Sequence, residues 1–238
     1  MSKKELGRVF WWDVPLRIRV LGPLYASSAT TEGGIVAALE KNKPTEAQLT
    51  YRLAQGEPIT SLEDLKVEII EETSPVKELV PQASTVWRRD KEGRPFVHAN
   101  FIKGHLREAG EIVSRLVGFW GLKKLITQTV TPTPSRLYLE GEIQLFRTHF
   151  APDVRLKGGV EVRQATEKVE EFVDSPVLDW VLYLTGDPRW NRDLLEDILI
   201  QGSFRGLGPG RARDESKYTF DLGNFTRVAR PPIEGWGG

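Results

Sequence analysis

Cysteine is absent from this chain of 238 residues, which excludes disulfide bridges and any thiolate-bound metal. Methionine occurs once, and the scarcity of both sulfur residues fits a thermophilic source. No apolar run approaches the roughly 18 residues that a spanning helix needs. The stretch Met1-Ser2-Lys3-Lys4-Glu5-Leu6 turns polar too soon for a signal peptide. The chain therefore reads as cytoplasmic, with no membrane partner. A charge of one sign is missing too. The 33 Lys and Arg balance the 33 Asp and Glu, which argues against a protein that grips nucleic acid over its whole surface.

What is present is an ordinary globular composition, 39% hydrophobic and 28% charged, with length enough for a real core. The charge is unevenly placed. Residues 86–107 hold Arg88, Arg89, Lys91, Arg94, Lys103 and Arg107 against Asp90 and Glu92, whereas 57–78 is acidic apart from Lys66 and Lys77. A basic groove on a neutral body fits this pattern, as does a solvated surface.

Two glycine-containing basic stretches stand about a hundred residues apart. One runs from Gly93-Arg94-Pro95-Phe96 to Lys103-Gly104-His105-Leu106-Arg107. The other is Gly202-Ser203-Phe204-Arg205-Gly206-Leu207-Gly208-Pro209-Gly210-Arg211-Ala212-Arg213. Each sets Lys or Arg beside backbone that a ligand can approach closely, which suits a phosphate chain better than a small neutral substrate.

Periodicity predicts a strand over Val14–Val20, with Val14, Leu16, Ile18 and Val20 on one face and Pro15 near an edge or a start. An insertion is expected over 22–85, with a helix at 45–55 and an acidic segment at 62–72. Ile102, Leu106, Ala109, Val113, Leu116 and Val117 predict a helix from Phe101 to about Leu125, capped by Asn100 and ended by Thr131-Pro132-Thr133-Pro134. A strand is expected at 136–146, a hairpin turn at Lys157-Gly158-Gly159, and a further extended run at 160–173. Segment 177–185 reads equally as strand or helix. A second helix spans Asn191–Ile200, with Gly202 as its stop, and a last strand carries Tyr218, Phe220 and Leu222. The tail 229–238 is rich in Pro and Gly. The order β-α-β-β-α-β is that of an α+β, ferredoxin-like fold, the RRM-like fold of RNA-recognition modules, here as a single domain over 1–238.

With both stretches in place, the sequence resembles the RAMP superfamily of CRISPR-associated proteins. That family's first helix follows a stretch of the form Gly-x-Pro, aromatic, Ile-Pro-Gly-Ser-Ser-x-Lys-Gly-x-Leu-Arg. Gly93-Arg94-Pro95-Phe96-Val97 and Ile102-Lys103-Gly104-His105-Leu106-Arg107 match its two ends, and His98-Ala99-Asn100-Phe101 replaces its Pro-Gly-Ser-Ser core. The family's glycine-rich loop after the second helix has its counterpart in Gly202 to Phe220, with Asp214-Glu215-Ser216-Lys217-Tyr218 in place of a final Gly-x-Gly. The resemblance implies a backbone subunit that coats guide RNA and repeats along it. Its partners are then copies of itself, other effector subunits, and a target RNA or DNA reached through the guide. The catalytic Asp of RNA-cleaving members, in an Asp-Ser-Pro-Val-like sequence, falls on Ala83-Ser84-Thr85-Val86, so cleavage is not expected unless Asp64 or Asp90 substitutes.

The residues expected at RNA are Arg88, Arg89, Asn100, Lys103, His105, Arg107, Arg205, Gly206, Gly208, Gly210, Arg211 and Arg213. No cofactor is expected, and no metal site, since His98 and His105 lie seven apart; His98, His105 and His149 read as structural or RNA-contacting. The rival reading is an endoribonuclease using His98 or His105. A third is a protein-interaction domain without RNA. Asp90 and Glu92 read as a turn beside Gly93. Trp11, Trp12 and Trp87 read either as base-stacking or as core residues.

Overall fold

The computed structural model describes residues 10–29, 67, 70–71, 83–150, 153–155, 161–163, 166–209 and 214–229. The expected helix at 45–55, most of the acidic segment, Lys157-Gly158-Gly159, Gly210, Arg211, Arg213 and the tail from 230 lie outside those residues. No helix among the described residues is long and apolar enough to cross a membrane.

In chain order the strands are β1 (Trp11–Val20), β2 (Pro23–Tyr25), β3 (Ser28–Ala29), β4 (Ala83–Val86), β5 (Arg88–Arg89) and β6 (Pro95–His98). Helices α1 (Ala99–Leu116) and α2 (Leu122–Thr129) follow. Then come β7 (Val130–Thr133), β8 (Arg136–Tyr138), β9 (Ile143–Phe150), β10 (Asp153–Arg155), β11 (Glu161–Arg163), β12 (Thr166–Asp174) and β13 (Val177–Thr185). Helix α3 (Arg192–Arg205), β14 (Tyr218–Leu222) and β15 (Thr226–Val228) complete the described chain. The fold is mixed α+β.

The central sheet has the order β14-β1-β13-β7, and each neighbouring pair is antiparallel. Strand β1 alternates as its sequence predicts, burying Val14, Leu16, Ile18 and Val20 and exposing Pro15, Arg17 and Arg19. Its buried face meets Ile102, Leu106, Ala109 and Val113 of α1 and Leu195, Ile198 and Leu199 of α3 in one core. Each such aliphatic side chain contributes about 1.5–3 kcal/mol by leaving water. Pro15 sits in a central strand and not at an edge. The proline has no N–H to give, and it falls where the ladder on that side changes from β14 to β15, with Gly223 N–H donating to its carbonyl at 2.7 Å.

Several expectations need correction. The second and third strands of the central sheet are β7 and β13, not 136–146 and 160–173. Pro132 ends no element; among the described residues β7 pairs only with β13, and an edge strand tolerates a missing donor. The 136–146 run divides at Gly141, whose φ of +116° breaks the pleat. Its halves join two other sheets, β5-β6-β8 and the sheet in which β12 pairs with β2, β4 and β9. Strands β10 and β11 pair antiparallel. The apolar segment 177–185 is a strand, fully paired with β1. The long first helix is two helices, because Gly118 and Gly121 both take positive φ. Helix α3 runs through Gly202 and ends at Gly206.

Candidate nucleic-acid interface

The path into α1 is a hairpin of β5 and β6. Its turn is closed by Asp90, whose Oδ1 accepts from the backbone N–H of Glu92 and of Arg94, while Arg94 Nε donates to Oδ2 at 2.8 Å. Burial of this carboxyl opposes its ionisation, but hydrogen bonds from Arg94, Tyr138 and Glu92 outweigh that and hold it at about 2. Asp90 and Glu92 thus form a turn, as read from the sequence, and Arg94 is spent on it, its guanidinium lying 4.4 Å from the Tyr138 ring centre.

Helix α1 is capped by His98 and not by Asn100. The His98 Nδ1 accepts from Asn100 N–H at 3.2 Å, and Ser135 carbonyl accepts from Ala99 N–H at 2.7 Å. Asn100 itself is exposed as the second residue of the helix. Lys103 and Arg107 are four residues apart and half-buried on one flank of the helix. Neither has a carboxylate partner among the described residues, and Arg107 Nε is buried with no hydrogen-bond acceptor. Burial, and then repulsion from Arg107, pull the Lys103 ammonium down to about 8. Two like charges held together on a half-buried flank, with no carboxylate against them among the described residues, suit an anion.

His105, expected at RNA, is 7% exposed. Tyr218 donates its hydroxyl hydrogen to the Leu199 carbonyl at 3.1 Å, so its oxygen accepts from His105 Nε2–H at 2.8 Å. Burial pushes the Tyr218 phenol up. The pair lies against Gly202, where any Cβ would strike the Tyr218 hydroxyl and the His105 ring. Gly202 is therefore a packing glycine inside α3.

The glycine loop begins at Gly206, with φ of +77°, and folds back over the start of α1. A Cβ on Gly208 would stand 3.1 Å from the Phe101 ring, and the buried Leu207 donates its N–H to Ser216 carbonyl at 2.9 Å. So the structure does join the two motif stretches, but through Phe101 and His105. Lys103 lies about 160° around the helix from both. Arg205 is exposed in the last turn of α3.

Arg88 and Arg89 part company. Arg89 makes a two-pronged ion pair with Glu171, at 2.7 and 3.1 Å, and donates to Trp87 carbonyl; Glu171 also accepts from Trp87 N–H at 2.8 Å. Glu171 is 3% exposed, so this arginine belongs to the join between two sheets. Arg88 is half-buried. Trp87 is core, and Trp12 stacks edgewise on Phe10 and Phe225. Ala83 pairs with Val169 and Thr85 with Glu170, parallel, in the second sheet. The Thr85 hydroxyl lies 3.3 Å from the buried Glu170 carboxylate.

The open face of the central sheet carries ion pairs. Arg17 Nε meets Asp179 at 2.7 Å and Arg19 reaches Asp221 at 3.8 Å. The Arg17 side chain holds Asp179 below the usual carboxylate range. With its cations already matched, that face resembles no base-stacking platform. Sequence reading missed Glu171, and it placed Tyr218 in the last strand without its contact to His105, since no local pattern marks either pairing. It also missed Trp120, which Gly118 and Gly121 bracket and which is 86% exposed. Among the described residues no group of three acid or histidine side chains is placed to hold a metal ion.

No family model matches the chain, and no curated protein matches it. Among solved structures, one similar chain belongs to the cryo-EM structure of the Type III-B Cmr-beta bound to cognate target RNA. It matches at 12% identity with a TM-score of 0.48, over 93% of this chain and 62% of that one. The present chain thus spans less than two thirds of that neighbour's length.

Proposed function

We propose that this protein binds single-stranded RNA along its phosphate backbone, as a RAMP-type subunit that coats a guide RNA within a CRISPR effector complex. The observation that carries RNA binding is the Lys103–Arg107 pair on α1, half-buried and with no carboxylate opposite it among the described residues. Contacts of this kind read phosphate and no base, so binding is independent of sequence. The assignment to CRISPR rests on the motif resemblance. A ferredoxin-like core is supported by the order β14-β1-β13-β7 with helices in both crossovers. In this reading residues 1–238 form one domain, the insertion 22–85 reaches a neighbouring copy or the target strand, and the protein works in the cytoplasm.

The subunit holds RNA without cutting it. His105 is buried, and the lone pair of His98 Nδ1 is occupied by the helix cap, so neither histidine is poised as a base. In this reading Arg205, Gly206, Gly208, Gly210, Arg211 and Arg213 supply a second contact to RNA, separate from the Lys103–Arg107 flank.

The test is fluorescence anisotropy of a labelled repeat RNA at 50 and 200 mM salt. Binding that weakens with salt is expected, and Lys103→Gln with Arg107→Gln should lower the logarithmic salt slope by about 1.4, near 0.7 per lost contact. A salt-insensitive or absent shift overturns RNA binding. Discrete cleavage abolished by His98→Ala overturns the non-cutting reading.

A further inference from the structure

The basic flank of α1 does not stop at Arg107. Lys103, Arg107 and Ser114 fall within about 40° of one another around the helix, and they span about 17 Å along it. At the far end, Phe119 N–H donates to Ser114 carbonyl at 3.0 Å and Ser114 hydroxyl donates to Phe119 carbonyl. Those two bonds latch the turn between α1 and α2 to that same flank. On the turn stands Trp120, 86% exposed, beside Leu116 at 73% and Val117 at 55%. The positive φ of Gly118 and Gly121 holds the turn in one short, tight form.

The charge around this indole separates its possible partners. Glu111 is shared between Arg115 at 3.0 Å and Lys123 at 2.8 Å. Lys124 has no acidic partner among the described residues, so residues 111–124 carry three cations against one carboxylate. A neutral protein surface would leave that excess unmatched, whereas a nucleic acid brings both a π-face for the indole and phosphates for the lysines. We propose that Trp120 is a stacking platform for an unpaired base of a single strand whose phosphates follow Lys103 and Arg107. The inference rests on the RNA-binding reading above and extends it from phosphate to base.

Two labelled 12-mers test it on the full chain by anisotropy, oligouridylate RNA and an abasic strand of the same charge. Trp120→Ala should weaken oligouridylate about tenfold and leave the abasic strand unaffected. Trp120→Phe should restore most of the loss, and Lys103→Gln with Arg107→Gln should weaken both strands alike. An unchanged or equal effect of Trp120→Ala on the two strands overturns stacking while leaving phosphate binding intact. A change in particle mass by light scattering, with oligouridylate affinity unchanged, overturns it in favour of a protein contact. A wild-type chain that binds neither strand overturns both this inference and the RNA reading.

Discussion

The Cα of Gly202 in α3 faces the imidazole of His105 in α1 with no room for a methyl group between them. Two helices cross at that point, and the Tyr218 hydroxyl closes the same contact from β14. Replacement Gly202→Ala should therefore part α1 from α3 and destabilise the protein by about 1–3 kcal/mol. Urea unfolding monitored by circular dichroism measures it. An unchanged midpoint would show that the helices give way freely.

Lys103 predicts opposite effects on stability and on binding. Its folded value near 8 lies below the 10.5 of the free side chain. Between these values the unfolded chain keeps a proton that the folded one has released, so this group makes stability rise with pH across that window. Lys103→Met should stabilise the free protein at pH 7, by on the order of 1 kcal/mol, and flatten the rise above pH 8. It should weaken RNA at the same time. Thermal unfolding from pH 7 to 10, with anisotropy on the same variant, checks both arms.

Arg89 should matter to folding and not to RNA. Arg89→Met strands the Glu171 carboxylate in the interior and should lower stability by about 3–5 kcal/mol. The double change with Glu171→Gln should recover much of that loss. RNA affinity measured well below the melting temperature should stay at the wild-type value.

Asp90 sets an acid limit on the β5–β6 hairpin. Its carboxyl sits near 2, below an ordinary value of 3.8, so its contribution is complete above about pH 4 and fades as pH falls toward 2. Carbon-detected NMR titration of the Asp90 carboxyl should give an apparent midpoint near 2. A midpoint near 4 would mean that Arg94 and the turn amides do not hold it.

Much of the central sheet was legible because half-buried elements write their burial into their periodicity. Strand β1 and helix α1 each bury one face, so their alternation and stripe stand out. Strand β7 was not legible, because Pro132 and Pro134 look like stops until its edge position is known. The sequence pattern alone stops helix α3 at Gly202, since only His105 and Tyr218, distant in sequence, explain a glycine inside it. Arg88 and Arg89 are equivalent in local sequence and differ by a carboxylate 82 residues further on. The site divides the same way. Lys103 and Arg107 followed from helical spacing, whereas Trp120 needed the turn that exposes it.

Strand β1 lies inside the central sheet, yet its partner strand arrives late; Arg17 and Asp179 are 162 residues apart. A ribosome adds about 5–20 residues each second, so β1 waits roughly ten to thirty seconds for β13. During that interval its apolar face and both of its edges stand open to other chains. Synthesis rate and chaperone supply, more than the stability of the finished fold, should then decide how much of this protein reaches its native form in a heterologous host. Slower growth at low temperature with abundant chaperones should raise the soluble yield, whereas a stabilising change confined to the β5–β6 hairpin should not.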